Sequence, residues 1–328
     1  MFMLARMINL FHSIFSHQDA VVDRAREQLV NQATQRAIDV IDKRLNALSN
    51  SHARIRGAVE IAIDHVVTMA NAFPEPVNLT YDSYRSQPLL NALFASPDHL
   101  HEVVVGDAAI KSASSHMTAR GDLYALLISR MSRRHFIGPD LIDGALRQDV
   151  ALTAVSFDHH HFLDVSPDES QTRVQLKKRA YDVMLKQILE EVEARHQTQQ
   201  TLQGQRKLLQ RKLELLHRAG WHFTPSSTGE EGLGSVEAQL HKVEASLAEL
   251  GAPEQTLENH LTLLKHELEH PAQLLALESV STILDLQNIE RASESDQAHP
   301  ISLNQLVDRH QNRFVVTPLR IDFHILNG

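Results

Sequence analysis

Two leucine-rich runs in the second half of the chain limit its fold more than any other feature. Tyr181, Leu185, Ile188, Val192, Leu202, Leu209, Leu213 and Leu216 fall on the alternating four-three spacing of a coiled-coil seam, and Val236, Leu240, Val243, Leu247, Leu250, Leu257, Leu261, Leu264 and Leu268 repeat it. Arg195, Gln199 and Arg206 interrupt the first run, so the middle of that arm is loosely held. Gly220 ends it, and the stretch WHFTPSSTGEEGLGS makes a flexible tip before the second run begins. The second phase survives Gly251-Ala252-Pro253. That is compatible with one kinked helix, or with two abutting helices in which Pro253 takes a first-turn position after a glycine cap.

Charge decides what the arms pair with. Residues 172–219 are strongly basic and residues 230–270 strongly acidic. Opposite charges beside two seams favour pairing of one arm with the other, folded back as an antiparallel hairpin or exchanged with a second subunit, and disfavour parallel self-pairing of either. A helix over residues 172–219 is roughly 70 Å long at about 1.5 Å per residue. Such an arm must project or lie along another surface, which marks it as an interaction device.

Upstream, residues 19–48 read as one amphipathic helix, with Val22, Ala25, Leu29, Ala33, Ala37, Val40, Ile41, Leu45 and Leu48 at helical spacing. Residues 52–73 read as a second, buried along Ile55, Val59, Ile63, Val66 and Ala70, until Pro74 and Pro76 forbid continuation. Shorter helices are expected at 88–95 and 97–105, the latter with Ser96 as N-cap and Pro97 in its first turn. From about Asp122 the texture changes to short Val, Ile, Leu and Phe runs between turn signals, which predicts a small antiparallel sheet. The tail RFVVTPLRIDFHI has the same texture and reads as a further strand, with Pro318 confined to an edge or bulge. Residues 272–291, with Leu275, Val280, Ile283, Leu284 and Ile289, read as a return helix.

The expected architecture is therefore α+β and predominantly α-helical, a helical base with a small antiparallel sheet and a long antiparallel helical-hairpin, coiled-coil arm. An N-terminal helical region occupies residues 1–121. A small β-meander at 122–168 is completed by 312–326. The hairpin and its return helix occupy 169–292, with the tip at 220–235, and a C-terminal loop and strand fill 293–328.

Composition narrows the function classes. With 328 residues the chain can bury a full core without staples, and the absence of cysteine removes disulfides, thiolate metal sites and cysteine nucleophiles, which fits the cytoplasm. A formal net charge of -9 argues against general nucleic-acid binding. No stretch approaches the roughly 18 apolar residues that cross a bilayer. Residues 1–16, with Leu4, Met7, Ile8, Phe11, Ile14 and Phe15 at near-helical spacing, are expected to pack on their own domain or a partner subunit, with weak membrane-surface contact as the alternative.

Histidines dominate the candidate chemistry. In His266-Glu267-Leu268-Glu269-His270 two histidines stand one helical turn apart with a glutamate between them. Over these five residues the chain resembles the zincin metallopeptidase signature, which implies zinc on His266 and His270 and a water-activating Glu267. The competing reading is a solvated face of the second arm. In Asp158-His159-His160-His161, strand alternation puts His159 and His161 on one face with Phe157 and Leu163, and His160 on the other with Asp158 and Phe162. His159 and His161 can supply two metal ligands with His135 as a third; otherwise the run is a pH-sensitive cluster or a histidine-rich surface strand. Arg130, Arg133 and Arg134 beside Ser129 and Ser132 read as a solvated strand end or as a clamp for an acidic ligand. At the tip, Trp221, His222 and Phe223 are either anchors for a protein partner or caps on the hairpin's own seam.

The leading expectation is a non-enzymatic interaction or scaffolding protein, with no required cofactor, that self-assembles or docks a partner through the arm. A metal-dependent hydrolase using zinc at His266, Glu267 and His270 is the alternative, and a small-ligand or ion sensor with a pocket in the sheet region is the third. An enzyme needs converging ligands in a concave pocket, a sensor needs a pocket in the sheet, and a scaffold needs neither.

Overall fold

The computed structural model describes residues 19–115, 121–142, 145–218, 233–250, 256–293, 298–322 and 324–325. In chain order its elements are α1 (Asp19–Ile41), a 3-10 turn (Lys43–Ala47), α2 (Ser51–Asn71), β1 (Val77–Leu79), α3 (Tyr81–Ser86), α4 (Pro88–Leu93), α5 (Pro97–Gly106) and α6 (Ala108–Ser115). Then come β2 (Leu123–Ile142), β3 (Ala145–Ser166), α7 (Glu169–Arg218), α8 (Leu233–Leu250), α9 (Thr256–Glu269), α10 (Pro271–Leu274), β4 (Leu275–Asp285), β5 (Ala298–Asp308) and β6 (Arg313–Ile321). The fold is α+β and predominantly helical. Two compact units interleave along the chain: residues 62–183 and 270–328, with the start of α1, form a sheet unit, and residues 30–61 and 184–269 form a helical unit.

In the sheet unit the strand order is β3-β2-β6-β5-β4, antiparallel throughout, with β1 added parallel to β6. Where the sequence suggests several short strands, β2 and β3 form one long hairpin. The return helix expected over 272–291 is instead strand β4, paired with β5 from Leu275↔Asp308 to Asp285↔Ala298. The spacing of Leu275, Val280, Ile283 and Leu284 suits either period. The β-branched Val280, Thr282 and Ile283 and a full-length partner strand decide for β. Pro318 lies opposite Leu126 of β2, and on its other side β5 leaves off at Val315 and β1 begins at Leu319. No strand needs its missing N–H there.

The edges of the sheet meet. Beyond β4 the chain turns back, Asp285 N–H donating to Ile289 O (3.1 Å) and Arg291 N–H to Ile283 O (2.9 Å), while Val155 N–H donates to Asn288 O and Glu290 N–H to Thr153 O, both at 2.8 Å. Residues 288–290 thus bridge β4 to β3 and close the sheet on itself, satisfying edges that would otherwise stand open. One face buries Leu123, Ala125 and Leu127 against Leu90, Phe94 and Leu100 of the α4–α5 region. The other buries Leu126 and Val316 against Ala70 of α2, Phe73 just beyond it and Leu176 of α7. As the sequence predicts, Ser96 caps α5, its Oγ accepting from His99 N–H at 3.0 Å, with Pro97 in the first turn.

Two bulges explain a wrong alternation. Pairing slips between Ile128↔His161 and Arg130↔Asp158, and again between Tyr124↔Ser166 and Leu126↔Leu163. His159 (φ 54) and Asp164 (φ 56) take left-handed backbone at these points. Each extra residue inverts the parity of the inward face, so Phe157 and Phe162 are both buried in one cluster although they stand five positions apart, an odd step that would put them on opposite faces of a regular strand. His160 turns inward with Phe162 as alternation expects, but the expected grouping of His159 and His161 with Phe157 is corrected, because Phe157 joins Phe162 in the buried cluster.

In the helical unit α1 stops at Ile41 rather than running to Leu48. Asp42 takes extended backbone and accepts the Arg44 N–H at 2.9 Å, which opens the 3-10 turn before α2. The two helices are tied by Arg56 Nη1 donating to Asn31 Oδ1 (2.9 Å) and by His52 Nε2 with Gln35 Oε1 (2.8 Å). Along α7, Leu185, Ile188 and Val192 are buried, residues 193–198 are all exposed, and Leu202, Leu209, Leu213 and Leu216 are half-buried. In α8 only Val236 is buried while Leu240, Val243 and Leu247 are half-buried, and α9 buries Leu261, Leu264 and Leu268. The seam is thus tight at the base of the arm and open along it.

Candidate functional site

The most exposed apolar surface of the helical unit lies between α7 and α8. Leu202, Leu208, Leu209 and Val243, with Gln205, Gln239, Lys242 and Ser246, line a groove of about 440 Å³. Leu208 is 68% exposed and Leu215 67%. They stand one heptad apart on the same side of α7, with Lys212 between them and Arg211 and Arg218 beside them. Two helices packed side by side cannot cover such a stripe; a third is needed to bury it. Lys242 of α8 is the charged residue among those lining the groove.

The histidine run of β3 is half used by the core. His160 Nε2 donates to Leu93 O at 2.9 Å, and its ring stacks on Phe94 at 5.3 Å with 22° between planes, while His99 meets it edge-on at 5.7 Å. His99 Nδ1 accepts the Ala95 N–H at 3.2 Å. Asp107 fixes the same region: it accepts the Phe162 N–H through Oδ2 (3.2 Å) and the Ala109 and Ile110 N–H groups through Oδ1, joining β3 to the start of α6. Burial holds His160 below the ordinary histidine range, outweighing its bond to Leu93 O. In the helical unit burial lowers His260 likewise, although Asp42 Oδ2 stands 3.5 Å from its Nδ1.

A histidine whose folded pKa lies below its unfolded value takes up its proton first in the unfolded chain, so stability is full above about pH 6.5 and falls as pH drops below it. The urea midpoint is expected to decline from about pH 6.5 downward, and His160→Gln to flatten that decline. A His160→Gln profile superimposable on the parent's would remove His160 from the account.

The zinc candidates fall apart geometrically. His266 sits in the last turn of α9, 65% of its side chain exposed, and its Nδ1 is 3.8 Å from Glu267 Oε1. Glu267 is buried, and α9 ends at Glu269, so His270 stands outside the helix as the N-cap residue before Pro271 opens α10. His159 is exposed and held by Asp158 Oδ1 at 2.8 Å, and His161 is exposed on the opposite face from His160. His135 pairs with Thr153, about 20 Å along β3 from His159. Among the described residues no group of three or more His, Asp or Glu side chains is placed to hold a metal ion.

Of the arginine cluster, Arg133 is paired with Glu290 at 3.0 Å and Ser129 is buried, leaving Arg130 and Arg134 on a solvated strand. Trp221, His222 and Phe223, residues 1–16 and the Pro253 junction lie outside the described residues. No helix among the described residues is long and apolar enough to cross a membrane. Sequence reading missed Leu208 and Leu215, although the adjacent pairs Leu208-Leu209 and Leu215-Leu216 signal a stripe wider than a two-helix seam needs. No protein-family model matches the chain, and neither a curated protein nor a solved structure does, which leaves these residues to carry any functional reading.

Proposed function

We propose that this chain is a non-enzymatic interaction protein that holds an amphipathic helix of another protein chain in the α7–α8 groove. The supporting observation is the exposed Leu208 on an apolar groove that α7 and α8 leave open, with exposed Leu215 one heptad further along α7. Lys242 on the groove, with Arg211, Lys212 and Arg218 along the same part of α7, favours an occupant with acidic flanks. A second copy of this chain and a different protein are both sources of such a helix. The absence of cysteine fits work in the cytoplasm.

The test is a pair of three-heptad synthetic helices with leucine at the seam positions, one flanked by glutamate and one by lysine, titrated against the full chain by fluorescence anisotropy. The acidic helix is expected to bind at least about tenfold tighter. Leu208→Ser with Leu215→Ser is expected to weaken it by at least about 100-fold, since each buried leucine contributes about 1.5–3 kcal/mol. Both side chains are mostly exposed in the free protein, so the circular dichroism spectrum is unchanged. Equal binding of the two helices, or binding indifferent to the double substitution, would sink the reading.

A further inference from the structure

We infer that the sheet unit contains a binding site for a short-chain organic carboxylate, in a concavity of about 100 Å³ between the α3–α4 segment and the β4–β5 strands. Arg85 from the end of α3, Asn91 from α4 and His299 from β5 converge on it. Among the described residues none of these three side chains has a hydrogen-bond or ion-pair partner. A guanidinium fork, an amide NH2 and an imidazole N–H offer donors, so the complementary ligand brings acceptor oxygens, and the planar fork matches a carboxylate.

The acid on the wall does not oppose this. Asp285 is already committed, Oδ1 accepting the Gln287 and Ile289 N–H groups at 2.9 Å and Oδ2 accepting Arg291 Nε at 2.8 Å. Asn288, at φ 58, is fixed by its amide on Ala92 O at 3.0 Å. Behind the polar groups the wall is apolar, built from Pro88, Ala92, Leu284 and Ile301. At the mouth stands Leu286, 75% exposed, which an alkyl tail would cover. A dry cavity of about 150 Å³ holds a benzene, so the space here takes roughly four to six heavy atoms. Inorganic phosphate would satisfy the donors and leave the apolar wall unused. The inference is independent of the arm groove, and either stands if the other falls.

The test titrates the full chain with butyrate, acetate and inorganic phosphate, followed by saturation-transfer NMR and calorimetry. Butyrate is expected to bind with a Kd of about 1 mM, about tenfold tighter than acetate because each buried CH2 adds about 0.8 kcal/mol. Arg85→Gln and His299→Ala are each expected to weaken it about tenfold at an unchanged thermal midpoint, and Leu286→Ala to remove the preference for butyrate over acetate. No saturable butyrate binding below about 50 mM, affinity unchanged in Arg85→Gln, or phosphate binding as tightly as butyrate would each overturn the assignment.

Discussion

Phe94→Ala is expected to destabilise the sheet unit by about 3–5 kcal/mol, among the largest losses available to one truncation in this chain. The ring is fully buried in the cluster with Leu90, Leu93, Leu100 and Phe162, and one face is stacked on His160. Removing it leaves a cavity where the α4–α5 connection meets the bulged part of β3, a place where backbone on both sides is pinned: Phe94 N–H to Leu90 O at 3.0 Å, and Leu93 O to His160. The cavity lies beside a titrating group, so a second readout follows. Burial is the main cause of the low His160 pKa, and water admitted by Phe94→Ala would bring its titration back toward 6.5. Phe94→Leu keeps most of the volume and is expected to cost about 1–2 kcal/mol with a smaller titration shift. A urea midpoint lowered by less than the equivalent of about 1 kcal/mol, or an unmoved His160 imidazole resonance, would refute this account of the cluster.

That cluster also shows where sequence stops being informative. Strict alternation along β3 is a sound rule for a regular strand, and it fails here because His159 and Asp164 adopt left-handed backbone that nothing in their identity announces as firmly as a glycine would. The one-residue slip at His159 moves Phe157 onto the inward face with Phe162, away from the face that alternation assigns it. By contrast, Ser96-Pro97 was legible as a helix start because cap and first-turn proline are local chemistry, and so were the base positions of both seams, where Leu185, Ile188, Leu261 and Leu264 are all buried. The strand over 275–285 was misread because its apolar residues fit two periods. A partner strand more than a dozen residues downstream chose between them.

Sites were less legible than elements for a related reason. The HExxH-like run is contiguous and therefore visible, yet the helix that should present both histidines ends at Glu269. Arg85, Asn91 and His299 carry no local pattern, and only the packing of the α3–α4 segment on β5 brings them together. The arm groove lies between these cases: its seam was readable, while the doubled leucines beside it were a signal that the reading of the seam passed over.

Asp285→Ala carries the second large expected effect, about 2–4 kcal/mol, because one carboxylate holds the turn that closes the sheet. Its side chain is only 12% exposed and accepts two backbone N–H groups together with Arg291, whose guanidinium also pairs with Asp140 across on β2. Truncation leaves two amides without acceptors and Arg291 with one acid instead of two. The bridge over 288–290 then loosens, so the Val155 and Glu290 amides, bonded to Asn288 O and Thr153 O, are expected to exchange with deuterium much faster than amides on β5. Asp285→Asn keeps the side-chain oxygen that accepts the two amides while losing the charge, and is expected to fall between parent and alanine. Because Arg291 shares the network, the Asp285→Ala and Arg291→Ala losses should not add, and a double mutant as unstable as their sum would show that the two act separately. The same turn places Asn288 and Leu286 at the carboxylate pocket, so butyrate affinity should fall with Asp285→Ala even though Asp285 gives the ligand no donor. Unchanged exchange at Val155 and Glu290 in a destabilised Asp285→Ala protein would mean that the sheet closes by some other contact.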